Sequence, residues 1–259
     1  MLTNDWHLDA LRAELGARYP GFGVELRDEV DSTSAELMRR ARAGQAEPTL
    51  LVAERQSAGR GRLGRPWDST AGTSLTFSLG LPLAPRDWSG LSLAVGVAIA
   101  QALDPDDAAG LRIKWPNDLW RDGRKLSGIL IETAMPQGDV QAARYAVVGV
   151  GINIGGRDAA GLRFAPAWVR EWQPEASAAG VLRAVAPALL DALRRFEAQG
   201  FTAFAEAFAA RDALRGREVQ LSDGSGGRCA GVGASGELLV ETAEGMQIVT
   251  SAEVSVRPL

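Results

Sequence analysis

The hydrophobic positions of the chain repeat at the spacing of strands in some segments and at the spacing of helices in others. TLLVAE, from Thr49, is a short apolar run typical of a buried strand. LTFSLGL, from Leu75, has an apolar residue at every second position, which predicts a strand with one apolar face. Three further strands, the first ended by Pro116, would complete the floor of one sheet, and we expect them in RIKWPNDL, KLSGILIET and YAVVGVGINI.

Helical spacing precedes and separates these strands. A short helix is predicted over residues 8–15, with a glycine directly after it. A second helix is predicted after a strand that ends before Asp31, with Thr33 and Glu36 spaced as a capping box and Gly44 as the stop. The residues at this helix N-terminus lie where free backbone N–H groups suit an anion or a polar ligand.

The remaining apolar segments indicate a buried helix, a long helical region and a small β domain. The run from Leu91, LSLAVGVAIAQAL, is shorter than the roughly 20 residues that a membrane span needs, so it predicts a buried helix. Residues 176–210 keep helical spacing. Beyond Arg215, the segments REVQLSD, GRCAGVGASGELLVE and MQIVTSAEVSV read as short strands of a small barrel. The sequence therefore predicts an α+β fold with two domains, 1–213 and 214–259.

Composition narrows the possible functions. The 259 residues are 46% hydrophobic and carry a formal net charge of −4, so the protein as a whole does not attract nucleic acid or an anionic membrane. The single cysteine, Cys229, cannot form an internal disulfide, and the first residues lack the pattern of a secretory signal, so we expect a cytoplasmic protein. His7 is the only histidine, which excludes multi-histidine metal sites and argues against a Ser-His-Asp hydrolase.

The segment RQSAGRGRLGRPW, residues 55–67, concentrates arginine and glycine in an acidic chain. It satisfies G-x-G-x-x-G, but a strand rather than a helix is predicted after it, so we reject a dinucleotide-binding βαβ unit. Arginines separated by glycines can converge on one anion, with Gln56 and Trp67 beside them. A solvated surface loop and an RNA-binding loop are the alternatives.

Three further groups of residues suit an anionic ligand, and each has a purely structural alternative. Asn117 and Asp118 follow a proline and offer oxygen ligands for a phosphate-bound Mg²⁺, or they form an ordinary turn. Lys125 begins a strand, as a solvated edge residue or as a point charge for a phosphate or carboxylate. GVGINIG, from Gly149, admits a planar group close to the backbone, or marks a bulge. No P-loop sequence occurs.

The chain closely resembles the biotin protein ligases, also called biotin–[acetyl-CoA-carboxylase] ligases, in five motifs that occur in the same order. The resemblance extends over essentially the whole chain and implies a mixed-sheet catalytic domain of the biotin/lipoate ligase type, followed by an SH3-like barrel. The motifs are D-S-T-S (31–34), Q-S-A-G-R-G-R-L-G-R-P-W (56–67), K-W-P-N-D (114–118), K-L-S-G-I-L-I-E (125–132) and G-V-G-I-N (149–153).

The resemblance implies roles for individual residues. Lys125 and Arg60 would act at the reacting centre. The metal would be Mg²⁺, held at Asn117 and Asp118. Ser34 departs from the family pattern, which often has Asn there. The biotin-binding residues would be Ser32, Thr33, Ser34, Gln56, Arg60, Gly61, Arg62, Lys125 and Gly128, and the nucleotide-binding residues would be Arg60, Arg62, Arg65, Trp67, Asn117 and Asn153.

The implied activity has two steps. Biotin and ATP would form biotinyl-5′-AMP, and the biotinyl group would then pass to a lysine of the biotin carboxyl carrier protein of acetyl-CoA carboxylase. Only 30 residues precede Asp31, too few for the DNA-binding module of bifunctional relatives, so we expect no repressor role. Because the net charge is negative, we also expect no nucleic-acid or membrane partner. The protein would be a monomer or a homodimer. The alternatives are a lipoate or octanoate ligase or transferase that acts on a carrier lysine, and an RNA-binding module.

Overall fold

The structure is a computed structural model that describes residues 6–135, 143–156, 165–250 and 256–258. Within these residues the chain forms two sheets and five α-helices. The helices are α1 (Leu8–Arg18), α2 (Thr33–Arg42), α3 (Leu91–Leu103), α4 (Ala178–Gln199) and α5 (Ala205–Ala210). The strands of the large sheet are β1 (Gly23–Val30), β2 (Thr49–Gln56), β3 (Ser74–Leu83), β4 (Arg112–Lys114), β5 (Asp118–Arg121), β6 (Arg124–Ala134) and β7 (Arg144–Asn153).

The large sheet is mixed, which confirms the predicted α+β class. Its strand order is β1-β2-β3-β7-β6-β5-β4, and β1 and β2 pair in parallel while the other neighbours are antiparallel. The main core lies between one face of the sheet and helices α1, α3 and α4. Helix α2 covers part of the opposite face with a smaller cluster that includes Leu37, Met38 and Leu51.

The period-two pattern of β3 separates these two faces. Leu75, Phe77, Leu79 and Leu81 are all buried in the main core, as their alternation predicts. The residues between them are small or polar and therefore face α2. Ser78 belongs to this second face and is itself fully buried. The strand pattern thus creates a polar surface inside the protein, directly beneath the N-terminus of α2.

Three predicted element boundaries differ in detail from the structure. Helix α1 continues through its glycine to Arg18. Ser32, not Thr33, is the N-cap of α2, because its hydroxyl accepts from the backbone N–H of Ala35. Glu36 instead pairs with two arginines of its own helix. The segment RIKWPNDL is two strands, since the chain reverses at Trp115 and β4 pairs with β5.

The long helical region is interrupted at Gly200. This glycine has φ of +66°, a conformation that favours glycine, and it ends α4. A 3₁₀ turn, Phe201–Phe204, and helix α5 follow. The interruption allows the chain to fold back, so that Phe201 and Phe208 pack against each other with their ring centroids 6.0 Å apart.

The C-terminal strands form a five-stranded antiparallel sheet, consistent with the predicted SH3-like domain. Trp115 connects it to the large sheet, because its indole N–H donates to the carbonyl of Gly236 at 3.0 Å. Residues 251–255 of the predicted segment MQIVTSAEVSV lie outside the described residues, and the proposed boundary at residue 214 stays a prediction. In the order β11-β10-β9-β8-β12, the strands are Gly245–Val249, Leu238–Thr242, Gly226–Val232, Glu218–Leu221 and Val256–Pro258.

Candidate active site

One row of neighbouring residues crosses the large sheet on the face that carries α2. The strand register pairs Lys114 with Asp118, Asp118 with Gly128, Gly128 with Gly151, and Gly151 with Thr76. All these side-chain positions face the same side, because directly paired residues share a face. The row therefore presents two charged residues on β4 and β5, then a bare glycine surface on β6 and β7.

A network of hydroxyl groups and one amide lies beside this row, at the N-terminus of α2. Thr33 donates from its backbone N–H and from its hydroxyl to Gln56 Oε1, at 2.8 and 3.1 Å. The Ser78 hydroxyl lies 2.8 Å from that of Thr33 and 3.0 Å from that of Ser34. Ser32, Thr33, Ser34 and Ser78 are all buried. This end of the pocket is neutral and rich in hydrogen-bonding groups.

The arginine-rich segment leaves β2, folds over the pocket and returns to β3. Backbone hydrogen bonds close it, from Gly61 N–H to the Arg65 carbonyl at 2.7 Å and from Trp67 N–H to the Gly59 carbonyl at 2.8 Å. This segment contains no α-helix, and its one helical element is a 3₁₀ turn, Arg62–Gly64. This confirms the reason for rejecting a dinucleotide-binding βαβ unit.

Trp67 occupies the bare part of the row. A Cβ atom added to Gly151 would overlap its indole, and one added to Gly128 would lie 3.1 Å from the ring. Within the described parts of the chain, the indole N–H is buried without a hydrogen-bond partner. The two glycines are therefore needed for the aromatic ring to approach the strands closely, as the planar-group interpretation of GVGINIG predicts.

The charged groups face each other across the other end of the pocket. Lys125 Nζ lies 2.8 Å from Asp118 Oδ1 and 5.5 Å from the centre of the Trp67 ring. Arg62 donates to Asn117 Oδ1 at 3.4 Å, and burial lowers the pKa of its guanidinium. Burial also lowers the pKa of Lys114, and the positive charge of Lys125 acts in the same direction.

The pocket has a volume of about 180 Å³ and an uneven charge distribution. Among the described residues that line the pocket, Asp118 is the one carboxylate, and the cations are Arg60, Arg62, Arg65, Lys114 and Lys125. Arg60 also contacts Glu132, with its Nη2 atom 3.2 Å from Oε1. Because five cations face one lining carboxylate, the pocket is suited to an anionic ligand at this end and to an uncharged polar ligand at the other.

The structure brings nearly all the predicted site residues together. Asn153 is the exception, since its amide donates to the carbonyls of Lys125 and Ala167 and it does not line the pocket. Thirteen of the predicted residues line the pocket, namely Ser32, Thr33, Ser34, Gln56, Arg60, Gly61, Arg62, Arg65, Trp67, Asn117, Asp118, Lys125 and Gly128.

Three residues of this site were absent from the sequence prediction. Ser78 and Thr76 belong to the polar positions between the apolar residues of β3, a pattern that could have indicated them. Lys114 begins the KWPND motif but gave no separate signal. Its position became clear only from the pairing of β4 with β5.

A metal site made by the protein alone is absent from the described part of the chain, where no cluster of three or more His, Cys, Asp or Glu side chains occurs. Asn117 and Asp118 do lie together, although their oxygens face Arg62 and Lys125. A donor set of one carboxylate and one amide fits a Mg²⁺ ion whose other ligands are water and phosphate oxygens.

Comparison with known proteins assigns the chain to a family of ligases. Residues 28–153 match the profile of the biotin/lipoate A/B protein ligase family. A solved biotin protein ligase from Aquifex aeolicus, in complex with biotin and ATP, has a TM-score of 0.77 and 29% identity, and the match covers 92% of this chain and 99% of that one. The chain belongs to this family, which confirms the predicted resemblance.

Two relatives identify the branch of the family. The biotin–[acetyl-CoA-carboxylase] ligase of Paracoccus denitrificans is 35% identical over 242 residues, which are 86% of this chain and 96% of the relative. The protein of the same name from Mycobacterium tuberculosis is 39% identical over 133 residues, 49% of this chain and 47% of the relative. Within the family, the chain is a ligase of the biotin protein ligase type.

No helix in the described parts of the chain has the length and the apolar character needed to cross a membrane.

Proposed function

We propose that this protein uses ATP to convert biotin into biotinyl-5′-AMP and then transfers the biotinyl group to a lysine of the biotin carboxyl carrier protein of acetyl-CoA carboxylase. The observation that carries this proposal is the division of one pocket into a neutral hydrogen-bonding end and a strongly cationic end. The names of the relatives from Paracoccus denitrificans and Mycobacterium tuberculosis support the same activity.

The neutral end suits the ureido ring of biotin. That ring has two N–H donors and one carbonyl acceptor, and hydroxyl and carboxamide groups can act as both partners. Ser32 and Thr33 supply such groups in a buried setting, and Gln56 supplies one from a half-buried position beside them. We assign them to ureido binding, with Ser34 held beside them by Ser78.

The cationic end addresses the main obstacle of the first step, in which two anions must meet. One oxygen of the biotin carboxylate attacks the α-phosphorus of ATP, and the bond from that phosphorus to the bridging oxygen of pyrophosphate breaks. At about 4 Å two unit charges repel by about 4 kcal/mol at an effective dielectric constant of 20. Arg60, Arg62 and Lys125 would offset this repulsion, because their positive charges line the pocket where the two anions meet.

Magnesium fits the same end of the site. Asp118, with Asn117, would provide protein oxygens to an ion held mainly by the phosphates of ATP. Such an ion neutralises phosphate charge when bound. Lys125 would remain near the reacting carboxylate, since its ion pair with Asp118 fixes the ammonium at this edge of β5 and β6.

The second step transfers the acyl group from the mixed anhydride to the amine of the carrier lysine, and AMP leaves with the oxygen that joined the two. Water would destroy this intermediate, so the site must exclude it. We assign that role to residues 59–67, which we expect to be mobile in the free protein and to become ordered over biotin or the adenylate.

ATP as substrate and the lone cysteine support a cytoplasmic location.

Pyrophosphate release tests the proposal directly. The purified protein is incubated with ATP and Mg²⁺, and with biotin, lipoate or octanoate in parallel reactions. We expect release only with biotin, and transfer of biotin to a carrier domain that has its acceptor lysine but not to a Lys→Ala carrier. Release with lipoate or octanoate instead would favour the related ligases, and no release with any of the three would contradict the proposal.

A further inference from the structure

Lys114 differs from the other cations of the pocket in its surroundings. Arg60 has Glu132 as a partner and Lys125 has Asp118. Among the described residues no carboxylate forms an ion pair with Lys114, and its Nζ atom lies over the ring of Trp120, 5.5 Å from the ring centre. Arg65 also has no carboxylate partner there, but it is exposed and water can solvate it. Lys114 is partly buried, so water solvates its charge less completely than it solvates the charge of Arg65.

The position of Lys114 in the sheet places it at the far end of the site. Its strand, β4, is the last in the sheet order, three strand spacings from β7, which corresponds to roughly 14 Å. The hydroxyl network lies at the opposite end, over β3 and β7. Lys125, on β6, is between the two. A ligand that extends from the hydroxyl groups past Lys125 would therefore approach Lys114 with its far end.

The charge of the pocket suits a ligand with more negative charge than a carboxylate and one phosphate. Lys114 is repelled by Lys125, Arg65 and Arg62, and Asp118 is the lining residue that attracts it. A charged amine that is buried among like charges indicates that an anion belongs beside it, because burial without a partner is costly. The β- and γ-phosphates of ATP carry most of the charge of that molecule and lie beyond the α-phosphorus.

We propose that Lys114 binds the β- and γ-phosphates of ATP and stabilises pyrophosphate as it leaves. This role rests on the proposed ligase activity and adds a residue to it. When the carboxylate oxygen bonds to the α-phosphorus, the electron pair of the broken bond remains on the bridging oxygen and leaves with pyrophosphate. An ammonium group near that oxygen stabilises the charge that develops there.

The two half-reactions separate this role from a structural one. Adenylate formation and its reversal involve pyrophosphate, whereas transfer from biotinyl-5′-AMP to the carrier does not. The variant Lys114→Met removes the charge and keeps most of the side-chain length, and Lys114→Arg keeps the charge. Arg112→Met is the matched control, since it removes one positive charge from the same strand outside the lining of the pocket.

Biotin-dependent exchange of pyrophosphate into ATP is measured over a range of pyrophosphate concentrations. For Lys114→Met we expect the KM for pyrophosphate to rise roughly 10- to 100-fold, the range for a lost contact to a charged group. The KM for biotin should change far less, and transfer from supplied biotinyl-5′-AMP should lose much less than exchange does. Lys114→Arg should recover most of the exchange, and Arg112→Met should behave as the parent protein.

Two results would overturn the assignment. One is an unchanged KM for pyrophosphate in a Lys114→Met protein whose melting temperature shows that it is folded. The other is an equal fold-loss in exchange and in transfer, which would indicate that Lys114 supports the site as a whole through Trp120. Absence of biotin-dependent exchange in the parent protein would refute the ligase activity itself, and this role with it.

Discussion

Replacing Gly151 with alanine tests whether Trp67 is held against the glycine surface of the pocket. The new methyl group would overlap atoms of the indole ring, including Nε1. Gly151 lies in β7, which pairs with β3 on one side and β6 on the other, so the strand has little freedom to move. Trp67 belongs to a loop and can move. The substitution should therefore displace the loop and leave the sheet intact.

The size of the effect follows from the cost of overpacking. An extra methyl group in a packed site costs about 1–3 kcal/mol. If the loop gives way, that cost falls on its closed position, whose population would decrease by between roughly 5-fold and 150-fold. The affinity for biotin should fall by a similar factor, since residues 60–62 belong to the same loop. The free energy of unfolding should change less, because the displaced ring no longer collides.

Biotin affinity is measured by isothermal titration, and loop accessibility by limited proteolysis between residues 59 and 67. Gly16→Ala is the matched control, because Gly16 lies in helix α1 and the same methyl group would meet no atom of the described residues within 4 Å. The control should bind biotin as the parent does and gain about 0.5–1 kcal/mol in stability. Equal biotin affinity and equal cleavage in Gly151→Ala and the parent would refute the packing of Trp67 described above.

Two further substitutions and one chemical modification have expected outcomes. Lys125→Met should slow adenylate formation in single turnovers by roughly 100- to 1,000-fold, and a loss below tenfold would remove Lys125 from the reacting centre. Arg211→Met should lower the free energy of unfolding, measured in urea, by about 3 kcal/mol, because it leaves the buried carboxylate of Asp104 with only its backbone partners. An unchanged free energy of unfolding would contradict the contribution of this ion pair to stability. Burial raises the pKa of the Cys229 thiol from 9.0 to about 11, so iodoacetamide should modify this thiol only after unfolding. The stability that comes from the raised pKa should be complete below pH 9 and lost as the pH rises to about 11. Rapid modification of the folded protein at pH 8.5 would contradict that burial.

The sequence predicted the strands of the large sheet well because apolar residues recur in them at strand spacing. It could not supply the strand order, since β7 lies between β3 and β6 although it follows β6 in the chain. Helix boundaries depended on local chemistry. Ser32 and Thr33 are both good N-cap residues, and only the backbone conformation shows that Ser32 takes this position.

The candidate site was predicted mainly from motifs that lie far apart in the chain. Asn153 was grouped with nucleotide-binding residues because it ends GVGIN. It shares the sheet face of Gly151, but it lies at the end of β7 and its amide donates to the carbonyls of Lys125 and Ala167, so it does not line the pocket. Ser78 was overlooked because it appears as an ordinary polar position in a strand. The alternation of β3 places it on the polar face, but its contacts with Thr33 and Ser34 also depend on the packing of α2 over that face.

The central step of the proposed mechanism is the attack of the biotin carboxylate on the α-phosphorus of ATP within the cationic pocket. Biotin labelled with ¹⁸O at both carboxylate oxygens is incubated with the protein, ATP, Mg²⁺ and a carrier domain, and the products are analysed by mass spectrometry. This mechanism predicts one labelled oxygen in AMP and the other in the amide of the biotinylated lysine. Unlabelled AMP, with the second label in inorganic phosphate or pyrophosphate, would contradict it.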